Sequence, residues 1–228
     1  MNISLKHIEV KTELKAFFNV IKKFNLNDII CIDESSLSTS LKYNYCRSAL
    51  GDRCIIKTYD NSVFKKYSYI SAITNKECIN SKLYDEGSVN AERFNIFLTK
   101  ICDKVKNKLF ILDNGQIHKK EETKKIIKNS GNYLLYTCQY HPRLNCIEEW
   151  FNQLKHYIKL DKPQNLIKLK ESLNNSINKI TEKHYKNYFI YAYNKDIYKN
   201  TKSTHASTKH RKPKIYKKID WHLKYALL

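Results

Sequence analysis

At 228 residues the chain is long enough for one well-filled core with appendages and short for two full domains. Its 42% hydrophobic and 12% aromatic content excludes an intrinsically disordered protein. Forty-two Lys plus Arg against 22 Asp plus Glu leave a net charge of +20, a surface that selects a polyanion. Nucleic acid ranks ahead of a membrane, because neutralising phosphates releases their counterions.

The opening residues, Met1-Asn-Ile-Ser-Leu-Lys-His-Ile-Glu, alternate charged and apolar side chains and lack the uninterrupted apolar stretch of a secretory signal. No run approaches the length of a membrane-spanning helix, so an intracellular protein with no membrane partner is expected. Seven Cys, at 31, 46, 54, 78, 102, 138 and 146, form an odd set with no Cys-x-x-Cys pair. That disfavours a disulfide framework and a zinc knuckle, and leaves reduced thiols packed as small hydrophobes.

With only 4 Gly and 3 Pro as punctuation, the order of periodic segments carries the organisation. Residues 13–23 set Leu14, Phe17, Phe18 and Ile21 on one face of an amphipathic entry helix. Residues 28–33, 53–59 and 67–74 read as three strands joined by turns. A more polar run at 78–84 extends the sheet before Asn90 opens a helix whose apolar face is Phe94, Phe97, Leu98 and Ile101. Leu109-Phe-Ile-Leu has the apolar continuity of a strand buried on both faces, and Asp113 closes it. A charged helix over 118–129, a strand over 133–138 and a helix from about Cys146 to Leu160 follow, and 166–193 reads as one or two more helices. Strands and helices alternate in this later half, giving an α/β fold with a mixed sheet. Residues 201–218 carry seven Lys or Arg and no acid. They form either a tail that orders on DNA or a solvated tail with no specific contact. The expected division is an N-terminal linker and helix (1–27), a core (28–160), C-terminal helices (161–200) and a basic tail (201–228).

Asp33 and Asp113 each end a buried strand, where a carboxylate is costly to desolvate unless it is paired, protonated or bound to a cation. For one such Asp a cap or turn is the simpler role. Two at matching positions in so basic a chain make cation binding an equal contender, since two-metal phosphodiester chemistry needs converging carboxylates. A third acid lies in His141-Pro-Arg-Leu-Asn-Cys-Ile-Glu-Glu-Trp150. On a helix Ile147, Trp150, Phe151, Leu154 and Ile158 form one stripe. At about 100° per residue Glu148 flanks that stripe, able to face a site beside the sheet, and Glu149 points nearly opposite, into solvent. Taken alone, both fit first-turn acids favoured by the helix dipole.

Taken together, the acid motifs resemble those of the mariner superfamily and related insertion-sequence DNA transposases. In that family the third acid sits in Tyr-Ser-Pro-Asp/Glu-Leu-Asn-Pro-Ile-Glu, followed by an acid or Asn, a Trp and Leu-Lys. The matching residues are Tyr140, Pro142, Leu144, Asn145, Ile147, Glu148, Trp150, Leu154 and Lys155. Ile32-Asp-Glu-Ser35 looks like the first-acid strand, and Leu112-Asp-Asn-Gly-Gln-Ile-His118 like the second. The 34 residues from 114 to 147 separate the second and third acids, a spacing the family uses. Residues 88–98 are similar to the helix before the second motif.

The resemblance spans about Asp28 to Lys155, and implies a ribonuclease H-like fold with a mixed five-stranded sheet flanked by helices. It also implies a DDE catalytic core in which Asp33, Asp113 and Glu148 ligate two Mg²⁺, with Mn²⁺ able to substitute. The activity implied is DNA hydrolysis and strand transfer. Asn114 and His118 are expected to orient substrate or support a ligand, the alternative for His118 being a local hydrogen bond at a helix start. Glu34 is either a supporting residue or a surface acid, and Trp150 belongs to the core. Lys155, Lys159, Lys209, Arg211, Lys212, Lys214, Lys217 and Lys218 are expected to grip the backbone of double-stranded DNA, both transposon ends and target.

The chain departs from the family at His141 for Ser, Arg143 for the acid and Cys146 for Pro, which puts the loop before Glu148 in question. The stretch before Asp28 offers no room for the helix-turn-helix pair that reads transposon ends. A separate helix-turn-helix subunit, a homodimer, an inactive or domesticated DNA-binding remnant, and a structure-specific nuclease or resolvase on the same fold are the readings this leaves beside an active transposase.

Overall fold

The computed structural model describes residues 3–39, 48–49, 51–53, 65–138 and 141–193. The expected strand at 53–59 falls outside them from residue 54 on, as do Tyr140 and the basic cluster Lys209 to Lys218. Helix α1 (Ile3–Ile21) is longer than the amphipathic segment and buries Phe17, Phe18 and Ile21. Strands β1 (Ile29–Ser38), β2 (Lys66–Ile73) and β3 (Cys78–Tyr84) form an antiparallel meander. The turn from β2 to β3 is built by Thr74, whose Oγ1 accepts from the amides of Lys76 and Glu77, each at 3.2 Å.

From β3 the chain enters α2 (Ala91–Cys102), where the Asn90 side chain accepts from the Arg93 amide at 2.9 Å and so satisfies one of the open amides of the first turn. Then come β4 (Leu109–Leu112), α3 (Glu121–Asn129), β5 (Tyr133–Tyr136), α4 (Ile147–Asp161), α5 (Leu166–Lys179) and α6 (Glu182–Tyr193). The five strands lie in the order β3-β2-β1-β4-β5, with β4 parallel to β1 and β5 parallel to β4. This is the mixed five-stranded sheet flanked by helices. The helix expected from His118 begins three residues later, at Glu121. Residues 116–119 instead make turns, with the amides of His118 and Lys119 both donating to the Gly115 carbonyl at 3.1 and 3.2 Å.

Strand alternation sorts the sheet into two faces. Ile30 and Ile32 of β1, Ile70 and Ala72 of β2, and Phe110 and Leu112 of β4 pack against Phe94, Phe97, Leu98 and Ile101 of α2 and Ile127 of α3. On the opposite face lies α4, with Trp150 stacked on Tyr69 of β2 at 6.3 Å between ring centroids. The Trp150 indole donates to Tyr185 Oη of α6 at 3.1 Å, so the polar end of this core residue is satisfied. Cys31 belongs to this second face, its sulfur 3.1 Å from Tyr193 Oη of α6 and 3.0 Å from the Cys146 sulfur. Cys31, Cys102, Cys138 and Cys146 are buried free thiols, in keeping with their reading as small core residues. By the same alternation Asp33 must share the α4 face with Cys31, while Glu34 must turn to the α2 face.

Candidate active site

The parallel pairing of β1 and β4 aligns the first two acids. Ile29 pairs with Leu109, Ile30 with Phe110 and Cys31 with Ile111. The same register carried two residues further sets Asp33 level with Asp113. Asp33 is 7% exposed in the middle of a strand that continues to Ser38, whereas Asp113 stands just past the end of β4 and is half-exposed.

Asp33 is held at both carboxylate oxygens. Oδ1 accepts from the Glu34 amide at 2.7 Å, and Oδ2 from the Asn145 side-chain amide at 3.1 Å. Burial and the negative charges of Asp113 and Glu148 push its carboxyl up to about 8. Glu148, in the first turn of α4, is exposed at the edge of the site. Partial desolvation raises its carboxyl above the usual range, Lys155 one face-repeat along the helix counters it, and Asp113 adds to it. The three acids thus share one electrostatic field. Glu149, expected to face solvent, is half-buried and near Tyr188 of α6, whose phenol is raised chiefly by burial, with the Glu149 charge adding a smaller push. The α6 helix covers that side of α4, and helical phase alone does not show it.

A second network stands behind Asp113. The His118 ring is 1% exposed and lies against Phe94 of α2, with ring centroids 4.5 Å apart. Its Nδ1 donates to Asp113 Oδ1, and its Nε2 donates to the Glu34 carboxylate at 3.1 Å. Burial alone pulls the imidazole down, but the bonds to Asp113 and Glu34 outweigh it and hold it at about 10, an imidazolium shared by two carboxylates. In return the His118 bond is the chief cause of a lowered Asp113 carboxyl. The Gly115 amide also donates to Asp113 Oδ1, at 2.8 Å, and a Cβ on Gly115 would come within 2.9 Å of that oxygen. Tyr136 Oη donates to the His118 carbonyl at 2.8 Å and fixes the turn from the β5 side.

Asn114 ties the ends of β4 and β5 together by donating to the Thr137 carbonyl. Lys155 and Lys159 are half-buried on α4, Lys155 near Glu148. Asn145, which sequence reasoning passed over as a site residue, is brought into contact with Asp33. Its only sequence signal is its place in the motif just ahead of α4.

Among the described residues no three His, Cys, Asp or Glu side chains are already gathered at ligand distance around one point. Asp113 Oδ1 is turned to His118 and Gly115. The donor set nevertheless fits a hard divalent cation. It consists of three carboxylates that repel one another, beside a buried Asn145 Oδ1 that has no protein partner among the described residues.

Five strands in this order, with helices on both faces, one acid within β1, a second just past the end of its parallel neighbour β4 and a third on the helix across, make a ribonuclease H-like fold. The chain belongs to the DDE superfamily endonucleases, whose family model matches residues 28–170. It is similar to a crystal structure of the Mos1 mariner paired end complex with Mn, at 16% identity and a TM-score of 0.69, over 81% of this chain and 58% of that one. A Mos1 strand transfer complex matches at 16% identity and a TM-score of 0.67, over 82% and 58% of the two chains. The Mos1 transposase catalytic domain matches at 14% identity and a TM-score of 0.62, over 85% and 91%. The chain therefore spans little more than half the length of the Mos1 chains in the DNA complexes. No curated protein matches it in sequence.

Proposed function

We propose that this chain is the catalytic part of a mariner-type DNA transposase that hydrolyses phosphodiester bonds and joins the released 3′ ends to target DNA. Asp33, Asp113 and Glu148 are its ligands for two divalent cations, Mg²⁺ or Mn²⁺. The observation that carries the reading is the placement of Asp33 level with Asp113 on the parallel neighbours β1 and β4, where burial and then the charges of Asp113 and Glu148 raise Asp33, so that the site gains from positive charge. Bound cations supply Lewis acidity for the attacking and leaving oxygens of an in-line displacement.

The chain's own residues do the positioning. Glu34 and Asn145 orient Asp33, while His118 and Gly115 hold one oxygen of Asp113 and leave the other for the site. Asn114 fixes the β4 and β5 ends between which the Asp113 loop emerges. Lys155 and Lys159, with the basic residues Lys209, Arg211, Lys212, Lys214, Lys217 and Lys218, supply backbone contacts to double-stranded DNA. Among the described residues no helix is long and apolar enough to cross a membrane, and the site of action proposed is DNA inside the cell. A second copy of the chain and a separate helix-turn-helix subunit are the partners proposed for end recognition.

The test is a cleavage and strand-transfer assay on labelled DNA with Mg²⁺ or Mn²⁺, comparing the chain with Asp113→Asn. Cation-dependent cut and joined products, both lost in the variant, are expected. Cut products without joined ones would point to a nuclease. A folded, DNA-binding chain that forms no products even with a helix-turn-helix partner supplied would contradict the proposal.

A further inference from the structure

We infer that Asn145 is a positioning residue that couples the acid of β1 to the acid of α4. The inference rests on the reading of Asp33, Asp113 and Glu148 as cation ligands. Asn145 is 2% exposed, and its side-chain amide donates to Asp33 Oδ2 at 3.1 Å. The other Asp33 oxygen is held from within β1 itself, by the Glu34 amide at 2.7 Å. Among the described residues, Asn145 is therefore the contact that holds the Asp33 carboxylate from outside its own strand. The backbone of the same residue works toward the other acid: the Glu148 amide donates to the Asn145 carbonyl at 3.1 Å, in the turn that starts α4. The Asn145 amide in turn donates to the Pro142 carbonyl at 3.0 Å, which anchors the residue in the short 3-10 turn Pro142–Leu144.

The residue type suits this task. A Lys or Arg in contact with Asp33 would neutralise it and compete with a cation, whereas a primary amide orients the carboxylate and leaves its charge in place. The amide oxygen of Asn145 is buried without a protein partner among the described residues, a neutral acceptor of the kind that hydrated divalent cations use. Moving Asn145 displaces Asp33 through its side chain and Glu148 through its carbonyl, so the separation of the two acids follows the position of one residue.

The experiment is Mn²⁺ binding to the full chain without DNA, read from the electron paramagnetic resonance of free Mn²⁺ beside thermal denaturation. Asn145→Ala is expected to weaken Mn²⁺ binding by about tenfold or more, while DNA affinity in EDTA stays at the wild-type level. An Asn145→Ala chain that melts earlier but binds Mn²⁺ as tightly as wild type overturns the inference, since the residue is then a packing element only. If Asn145→Ala does not fold, Asn145→Ser is measured against the same two outcomes. Asp113→Asn separates the two levels of the argument. Wild type and Asp113→Asn binding Mn²⁺ alike would remove the cation site and the inference with it. Loss in Asp113→Asn alone, with Asn145→Ala unchanged, would remove the inference and leave the site.

Discussion

Asp33 stands level with Asp113 because β1 and β4 are parallel neighbours whose pairing of Cys31 with Ile111, carried on by two residues, brings the acids together. One is sealed in the sheet and the other sits on a half-exposed loop. Asp33 therefore bears most of the electrostatic cost of gathering these acids, while Asp113 is turned toward His118.

That asymmetry has a measurable signature in stability. The Asp33 carboxyl is raised from 3.8 to about 8, so between those values the native chain holds a proton that the unfolded chain has released. Stability of the cation-free protein must then fall as pH rises across that window. His118, raised from 6.5 to about 10, acts in the same direction at higher pH, its stabilisation lost as pH rises through about 10. Asp33→Asn removes the Asp33 share. The variant is expected to melt above wild type at neutral pH in EDTA, with a flatter pH profile, and to lose DNA cleavage. Equal melting temperatures from about pH 5 to about pH 8 would show that Asp33 carries no such burden.

The His118 network predicts a graded loss of cation affinity. His118→Ala leaves Asp113 Oδ1 to the Gly115 amide and removes the imidazole from Glu34, and is expected to raise the Mn²⁺ concentration for half-maximal cleavage by about 10- to 100-fold. Gly115→Ala should act through the same oxygen, since its Cβ would press on Asp113 Oδ1 at 2.9 Å. Cleavage titrations that overlay wild type for both variants would refute the role given to this network.

The charge of the chain predicts steep salt dependence of DNA binding, with log K falling linearly against log salt. Lys155→Ala and Lys159→Ala should each reduce the slope by roughly 1 if each contacts one phosphate. Fluorescence anisotropy on a DNA duplex at several salt concentrations checks this, and unchanged slopes would remove these two lysines from the interface.

Trp150 predicts the cost of breaking the α4 face. It is fully buried, stacks on Tyr69 and hydrogen-bonds Tyr185. Trp150→Ala should lower unfolding stability by about 3–5 kcal/mol, measured by urea denaturation in EDTA. A loss under about 1 kcal/mol would mean that the pocket collapses or that the helix packs elsewhere.

The parts of this architecture that depend on pattern were legible in the sequence. Apolar runs ending in Asp33 and Asp113 gave the central strands, and the stripe from Ile147 to Ile158 gave α4 and the phase of Glu148. The polar run at Cys78 to Tyr84 also proved to be a strand, because a sheet edge tolerates polar side chains. What the pattern hid is tertiary. His118 looks like a helix start, yet Gly115 folds the chain into turns that bury its ring between Phe94, Glu34 and Asp113. The extension of β1 to Ser38 follows from pairing with β2 rather than from hydrophobicity. The contact of Asn145 with Asp33 spans 112 residues, beyond the reach of any local spacing argument.

The most direct test of the central claim is an anomalous difference map from crystals of the chain soaked in Mn²⁺. Asp33, Asp113 and Glu148 are expected to bind two peaks about 4 Å apart, with Asp113 reaching them through Oδ2 while Oδ1 stays on His118. Mn²⁺ bound elsewhere, with these three carboxylates unliganded in a chain that still cuts DNA, would contradict the account.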